Sequence, residues 1–443
     1  MDTRRIVNAS QPNGPTLPVE LVIAVLNCLT DDKLTLLACS RVNFSWRQII
    51  APHIFHAIQV DNAKPGRGLS RFVTLIDSLS GVCQHVHSLH IQGASLGGFQ
   101  PICPSFLMQI LGALESLQDL ELDGCDWVGF PSGLRQTSTT SSPLSSLKPL
   151  NSLTLRYLRH NGRKCRPKDI FSLLSMFTYI RTLKLEQISY SDPSQNSPRN
   201  VTALPFKLAL ERLEIGNISW RSNISVQHFF TFLKERIALE GLRKLDIRCQ
   251  NRTHLLIAGA FLRDVKLTEL SLNVSPMEAY VRIGNQPVWE LLNLDTQTAL
   301  KSLSIRVWTS GVHEFEDAND PSQVFIGQWC ICSALDILTF TPSTVEHVTI
   351  LLSLSSNGLQ IPWHLICQFS WSGLQNQLKR MTRLKSFTFE ITVPNGVEMA
   401  HEICLLTAKV LDQRLSEFGY KVECLYLESP VRSIEGLKVG VLF

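Results

Sequence analysis

A six-residue pattern of apolar and polar positions recurs along most of this chain. Each copy reads apolar-x-x-apolar-x-apolar, and its last three positions alternate as expected for a short strand with one buried face. The first eight copies begin at residues 86, 117, 150, 180, 210, 242, 267 and 300. Further copies begin at residues 335, 345, 384 and 422. The nearly constant spacing of the first eight indicates a repeat architecture.

The segments between the copies predict helices. Apolar side chains follow helical spacing over residues 105–114, 168–177, 226–237 and 254–265. Because each strand is followed by a crossover long enough to hold a helix, successive strands are expected to be parallel. The sequence therefore predicts an α/β solenoid over residues 82–443. The copies at 335 and 345 are only ten residues apart, so one is either an extra strand or no repeat strand.

The polar residues within the strands are the candidate partner-binding positions. In a repeat solenoid the parallel strands line the concave face, which is a usual binding surface. The candidates on this face are Glu121, Arg156, Lys184, Glu214, Asp246, Arg248, Ser304 and Arg306. Their charges are mixed in sign, so no charge class of partner is favoured. The alternative interpretation is that they are ordinary solvated side chains.

A separate apolar module precedes the repeats and predicts three short helices. Pro18 suits the first turn of a helix, whose apolar stripe consists of Leu21, Val22, Val25, Leu26 and Leu29. The Thr-Asp-Asp segment 30–32 ends this helix and caps a second one. A third helix carries Val42, Trp46, Ile49 and Ile50 and is expected to end at Pro52. Such a small bundle buries little by itself, so it needs a neighbour to cover its apolar surface.

Composition narrows the function classes. The net charge of +4, with 18% charged residues, demands neither nucleic acid nor a membrane surface as partner. No apolar stretch reaches 18 residues, and the polar tail 1–15, expected to be disordered, lacks the apolar core of a secretion signal. The twelve cysteines form no C-x-x-C pair, which favours reduced thiols and a cytoplasmic or nuclear location.

Three polar segments, 136–146, 189–200 and 314–323, predict surface loops.

The sequence offers little support for a catalytic or metal-binding site. It contains no G-x-x-x-x-G-K-[ST], G-x-G-x-x-G or H-E-x-x-H motif. Residues 93–97, GASLG, match G-x-S-x-G, but the Ser, His and Asp residues are too dispersed along the chain for a catalytic triad to be argued. His85, His87 and His90 lie close together, but no further ligand is within sequence reach, so no metal site is predicted. We therefore expect a non-catalytic protein without a cofactor.

The repeat units are similar to leucine-rich repeats of the L-x-x-L-x-L form. That family usually places Asn or Cys three residues after the last apolar position, where the side chain satisfies backbone groups of the turn. Cys125 fits this rule, whereas Leu158, Ile188 and Ile218 are apolar. The resemblance therefore implies an irregular solenoid without the asparagine ladder.

The opening module, residues 16–56, resembles the F-box in its fungal form. The matching features are Leu17-Pro18, Glu20-Leu21, the apolar run to Leu29, the segment Cys39-Ser40-Arg41-Val42, and Trp46; Ser45 departs from the family pattern. In that family the bundle binds a Skp-type adaptor, which links it to cullin and RING subunits. The resemblance implies adaptor contacts through Leu17, Pro18, Leu21, Val42 and Trp46. Alternatively, Leu21 and Trp46 are core residues of the bundle.

Two functional hypotheses follow. In the first, the F-box binds the adaptor, residues 57–81 act as a connector, and the solenoid presents unknown target proteins to an SCF-type ubiquitin ligase. In the second, the chain is a repeat scaffold for protein interactions without a ligase role.

Overall fold

The computed structural model describes most of the chain between residues 18 and 442. It covers residues 18–29, 32–42, 44–62, 68–78, 80–93, 99–128, 148–160, 162–165, 167–190, 207–216, 218, 220, 222–249, 251–274, 288–308, 333–353, 370–394, 409, 413, 421–429 and 434–442. The expected tail 1–15 and Leu17 lie outside these ranges, as do most residues of the three predicted polar loops.

Three helices form where the apolar pattern of the opening module predicts them: α1 (Val19–Cys28), α2 (Lys33–Cys39) and α3 (Phe44–Phe55). Asp32 caps α2, because its carboxylate accepts hydrogen bonds from the backbone N–H (3.0 Å) and the hydroxyl (2.6 Å) of Thr35. The helices enclose a small core of their own, formed by Val22, Leu26, Leu36 and Ile50.

Two details of this module differ from the prediction. Only part of the apolar stripe on α1 faces the core: Val22 and Leu26 are buried, whereas Leu21 and Val25 are more than half exposed. Three short helices cannot cover so wide an apolar arc. Helix α3 continues through Pro52 to Phe55 instead of ending at the proline. Only the last turn lies beyond Pro52, so the helix loses a single N–H donor there.

The rest of the described chain is built on one mostly parallel sheet of 14 strands. Eleven strands pair in parallel in spatial order: β1 (Ala57–Asp61), β2 (Ser88–Gln92), β4 (Asp119–Asp123), β6 (Lys148–Arg156), β9 (Phe177–Glu186), β10 (Leu208–Ile215), β12 (Lys244–Cys249), β13 (Glu269–Val274), β14 (Ser302–Trp308), β15 (His347–Ser353) and β16 (Ser386–Pro394). The short strand β11 (Ile237–Ala238) pairs with β10. The predicted α/β class and the parallel pairing of the first eight repeats are confirmed.

The expected connector, residues 57–81, belongs to the sheet unit. It supplies β1, which pairs in parallel with β2, and the helices α4 (Leu69–Ser78) and α5 (Ser80–Cys83). Val60, Phe72 and Ile76 are buried in the same core as the repeat leucines. The sheet therefore begins at residue 57 rather than at residue 82. Residues 55–60, FHAIQV, are an overlooked copy of the six-residue pattern, starting 31 residues before the copy at 86.

Helices cover the apolar side of the sheet. They are α6 (Pro104–Ala113), α7 (Pro167–Leu174), α8 (Asn223–Arg236), α9 (Arg252–Leu262), α10 (333–340) and α11 (Trp371–Arg380). Short 3-10 helices occupy Leu239–Gly241, Val288–Leu292 and Leu294–Thr296. Helical residues such as Leu107 and Phe229 share one core with strand residues such as Leu120 and Leu213. Burying one such side chain stabilises the fold by about 1.5–3 kcal/mol.

Of the two closely spaced copies, only the second is a strand. Residues 333–340 form α10, with Ala334, Ile337 and Leu338 buried at helical spacing. The copy at 345 supplies β15, which pairs with β14 and β16.

The last copy departs from the predicted parallel array. Residues 422–427 lie in β17 (Lys421–Ser429), but β17 does not pair with β16. Strand β18 (Ile434–Leu442) lies between them and is antiparallel to both. The prediction of parallel repeats as far as residue 443 is therefore wrong, because the final hairpin folds back into the sheet.

Left-handed turns follow several strands. Gly124, Tyr157 and Gln187 have φ of 62°, 48° and 52°, and each precedes a buried side chain, respectively Cys125, Leu158 and Ile188. The apolar residues found in place of asparagine are thus packed into the core. Beside these turns a small second sheet forms from β3 (Gln100–Ile102), β5 (Cys125–Trp127), β7 (Arg159–His160) and β8 (Arg163–Lys164).

Candidate functional site

The side chains that alternate with the core leucines form a polar face on the large sheet. Residues that are register partners on successive strands form rows across this face. The central row crosses ten strands, and each of its side chains is half-buried: His90, Glu121, Thr154, Lys184, Glu214, Asp246, Ser271, Ser304, Thr349 and Thr388. Five of the eight predicted partner-binding residues lie in this row, so the sequence pattern identified its composition correctly.

The other three predicted residues are arginines in the next row, two positions further along each strand. Asp123, Arg156 and Glu186 are register partners in one part of this row. Arg248, Asn273 and Arg306 are register partners in another. The structure therefore brings all eight predicted residues onto one face.

A third row precedes the central one and adds charges that the prediction did not include. Its members are Ser88, Asp119, Ser152, Thr182, Arg212, Lys244, Glu269, Ser302, His347 and Ser386. Side chains two residues apart on a strand point to the same face, so the strand alternation that predicted the central row also predicts these residues.

Opposite charges on neighbouring strands are paired. Lys184 Nζ lies 3.2 Å from Oε2 of Glu214 on the next strand. Arg212, on the same strand as Glu214, places its Nε 2.5 Å from Oε1. Lys244 Nζ lies 2.7 Å from Glu269. Partly exposed pairs of this kind stabilise a fold by about 0–1 kcal/mol each. Their main effect is to orient side chains on the face.

Arg156 is the centre of the densest charge cluster. Its Nε and Nη2 donate hydrogen bonds to Glu186 at 2.9 and 2.7 Å. Its Nη1 lies 3.2 Å from Glu121 and 3.9 Å from Asp123. Partial burial opposes the charge, but the hydrogen bonds to Glu186 and the three carboxylates outweigh it and raise the pKa of Arg156. This arginine is therefore a fixed cation among three anions.

Asp246 marks a more enclosed part of the face. Burial raises the pKa of its carboxyl group, although the positive charge of Arg306 acts in the opposite direction. Asn273 donates a hydrogen bond to Asp246 at 2.9 Å. Burial also lowers the pKa of Arg248. These groups lose part of their hydration on folding, so a partner that pairs with them has less water to displace.

The central row changes character towards β16, where hydroxyl groups replace its charged side chains. The central row there consists of Ser271, Ser304, Thr349 and Thr388. In the preceding row His347 Nδ1 lies 2.8 Å from the Ser386 hydroxyl. In the central row a partner therefore meets mostly charged side chains over the earlier strands and hydroxyl groups over the later ones.

The helical module presents a different kind of surface. Among the described residues, eleven large hydrophobic side chains are exposed, and seven belong to this module: Leu21, Ile23, Val25, Leu34, Leu37, Val42 and Phe44. Leu34 is 81% exposed and Phe44 68%. So many exposed apolar side chains on a short segment are typical of a protein-interaction surface.

The predicted adaptor-binding residues occupy different environments. Leu21 and Val42 are 53% and 65% exposed and are available for contact. Pro18 is exposed and precedes α1, and its carbonyl accepts hydrogen bonds from the N–H groups of Leu21 and Val22. Trp46 packs against the core of the module and is half-buried. It therefore shapes the module and presents only part of its ring to solvent.

Sequence reasoning missed Leu34, Leu37 and Phe44. Leu34 and Leu37 lie on α2, which is too short for an apolar stripe to stand out from its flanking segments, and Phe44 is the first residue of α3. The feature of the sequence that could have identified them is that the module has more apolar residues than its core of four buried side chains can hold.

Comparison with protein-family models gives no match to this chain, and comparison with curated proteins gives no significant match. None of the described helices is long and apolar enough to cross a membrane.

Proposed function

We propose that this chain is the substrate-recognition subunit of an SCF-type (Skp–cullin–F-box) ubiquitin ligase. The opening module is an F-box that binds a Skp-type adaptor. The sheet with its helices is a leucine-rich-repeat-like solenoid whose polar face binds target proteins. The chain contributes no catalytic group, and the ligase partners supply the chemistry.

One observation carries the proposal: the exposed apolar side chains are concentrated on a module whose own core has only four buried residues. Such a surface is costly in water unless a partner covers it. The module also lies at the start of the sheet. The His56 carbonyl accepts hydrogen bonds from the N–H groups of His87 and Ser88, both at 2.9 Å. An adaptor bound to the module would thus be held beside the sheet unit.

The contribution to ubiquitin transfer would be proximity. A target bound on the polar face is held in the same complex as a charged conjugating enzyme, which makes the reaction effectively intramolecular. The mixed charges and hydroxyl groups of the face suit a protein surface more than a single small ligand.

The first test is recovery of a Skp-type adaptor and cullin with the tagged chain from cells. We expect Leu21→Asp and Val42→Asp to reduce adaptor recovery at least about tenfold, because each introduces a charge into an apolar interface. Leu256→Asp is the matched control, since Leu256 lies on α9 and is 47% exposed. Circular dichroism of each variant checks that the module remains folded.

The opposite outcome favours the interaction scaffold. If the unmodified chain recovers no adaptor, or the two module variants recover as much as the Leu256 control, the ligase role is rejected. Comparing ubiquitylated proteins in cells with and without the chain then identifies targets if the adaptor does bind.

A further inference from the structure

We propose that His90, Glu121 and Asp123 bind a divalent transition-metal ion on the polar face, with Zn²⁺ as the best-fitting ion. His90 on β2 and Glu121 on β4 are register partners, and Asp123 lies two residues further along β4 on the same face. One ligand atom from each residue lies within 4.8 Å of the other two. His90 Nε2 is 3.9 Å from Glu121 Oε1. The backbone pairing of two parallel strands fixes this arrangement.

The imidazole nitrogen supports a ligand role. Nε2 of His90 is buried and makes no hydrogen bond to any described residue, although 27% of the side chain is exposed. A buried nitrogen facing carboxylates without a hydrogen bond is energetically unfavourable. A metal ion bound between the nitrogen and the carboxylates would satisfy it. The sequence alone does not indicate this site, because the other two ligands lie on the next strand, about thirty residues away in the chain.

The charge balance also favours a divalent cation. Glu121, Asp123 and Glu186 cluster around the single guanidinium of Arg156, which leaves two negative charges among these four described residues. Arg156 holds Glu186 through Nε and Nη2 and approaches the other two carboxylates only through Nη1. An ion at Glu121 and Asp123 would displace Nη1 and leave both hydrogen bonds to Glu186 intact.

The ligand types select the metal class. Imidazole with carboxylates suits Zn²⁺ and neighbouring transition metals, whereas Mg²⁺ and Ca²⁺ favour oxygen ligands alone. Tetrahedral ligands at about 2.0–2.2 Å from Zn²⁺ lie roughly 3.4 Å apart. The three side chains therefore need to close by about an ångström, which rotation of their terminal torsions provides. Three protein ligands leave one position for water or for a side chain of a bound partner.

Metal titration of the full chain tests the site independently of adaptor binding. The chelator-treated protein is titrated with Zn²⁺ by calorimetry and with Co²⁺ by visible absorption, which distinguishes nitrogen and oxygen ligands from thiolates. We expect one equivalent to bind and His90→Gln to weaken binding at least about tenfold. Arg156→Met should strengthen binding, because the competing cation is removed. His347→Gln, on the same face but on β15, should bind like the unmodified chain.

Two results would overturn the site. One is equal Zn²⁺ affinity of the unmodified chain and His90→Gln. The other is a Co²⁺ spectrum of thiolate type, which would assign binding to cysteines. If His90→Gln alters the unfolding curve, Glu121→Gln replaces it, and full affinity of that variant rejects the site equally.

Discussion

At the scale of single residues, glycines show where the backbone leaves no room for a side chain. Gly259 lies inside α9, and a Cβ there would overlap the carbonyl oxygen of Leu291 in the neighbouring 3-10 helix. Gly112 lies inside α6, and a Cβ there would meet no atom within 4 Å. The same residue type thus has opposite roles in two helices.

We expect Gly259→Ala to destabilise the protein by about 1–3 kcal/mol, because relieving the overlap separates α9 from the 3-10 helix. Gly112→Ala is the matched control and should stabilise the protein by about 0.5–1 kcal/mol through its helix propensity. Urea unfolding monitored by circular dichroism measures both changes. Equal effects of the two substitutions would contradict the close approach at Gly259.

The residues of the polar face were predictable because strand alternation is a local property. Glu121, Lys184 and Glu214 follow directly from their places between leucines. The site formed by His90 with Asp123 was not predictable, since it depends on which strands are neighbours. Trp46 was ambiguous for a related reason: a short helix does not indicate how far a large ring turns towards its own core.

At the scale of elements, the C-terminal hairpin ends the parallel array. Every backbone group of β16 that faces away from β15 is directed at β18, which pairs with it from Ser386 to Pro394. An unpaired edge on so long a strand would be a template for association with other chains. The pattern at 422 correctly indicated a strand, but periodicity within one strand carries no information on the direction of its neighbour.

A chain ending at residue 420 lacks β17 and β18, and we expect it to self-associate through β16. Light scattering after size-exclusion chromatography should show an apparent mass that rises with concentration. Adding Thr388→Lys to the truncated chain should reduce the association, because a charge on an edge strand opposes pairing. A truncated chain that remains monomeric at every concentration would refute this role for the hairpin.

At the scale of the whole molecule, the described residues form two separate cores. The module's core of Val22, Leu26, Leu36 and Ile50 shares no buried residue with the sheet core, which begins at Val60. The sequence pattern indicated both the helical module and the sheet unit, but the predicted start of the sheet unit was too late in the chain. The reason is that the repeat copy FHAIQV overlaps the end of the last module helix. Its first residue, Phe55, belongs to α3, whereas Ile58 and Val60 belong to β1.

Two truncations test this boundary. A chain beginning at His56 keeps the His87 and Ser88 hydrogen bonds and all of β1, so we expect it to unfold at the same temperature as the sheet of the full chain. A chain beginning at residue 82 loses Val60, Phe72 and Ile76 from the core and should be markedly less stable. Thermal unfolding followed by circular dichroism compares them. Equal stability of the two fragments would move the boundary back to residue 82.

The regular register of the strands has a consequence for the shape of a partner. Neighbouring strands lie about 4.8 Å apart, so each repeat advances the central row by that step. An α-helix laid across the strands advances about 5.4 Å per turn and stays nearly in step over several repeats. An extended peptide repeats its side chains on one face every 6.6–6.8 Å, roughly, and falls out of step by the second strand. The polar face is therefore commensurate with a helical partner, one turn for each strand crossed.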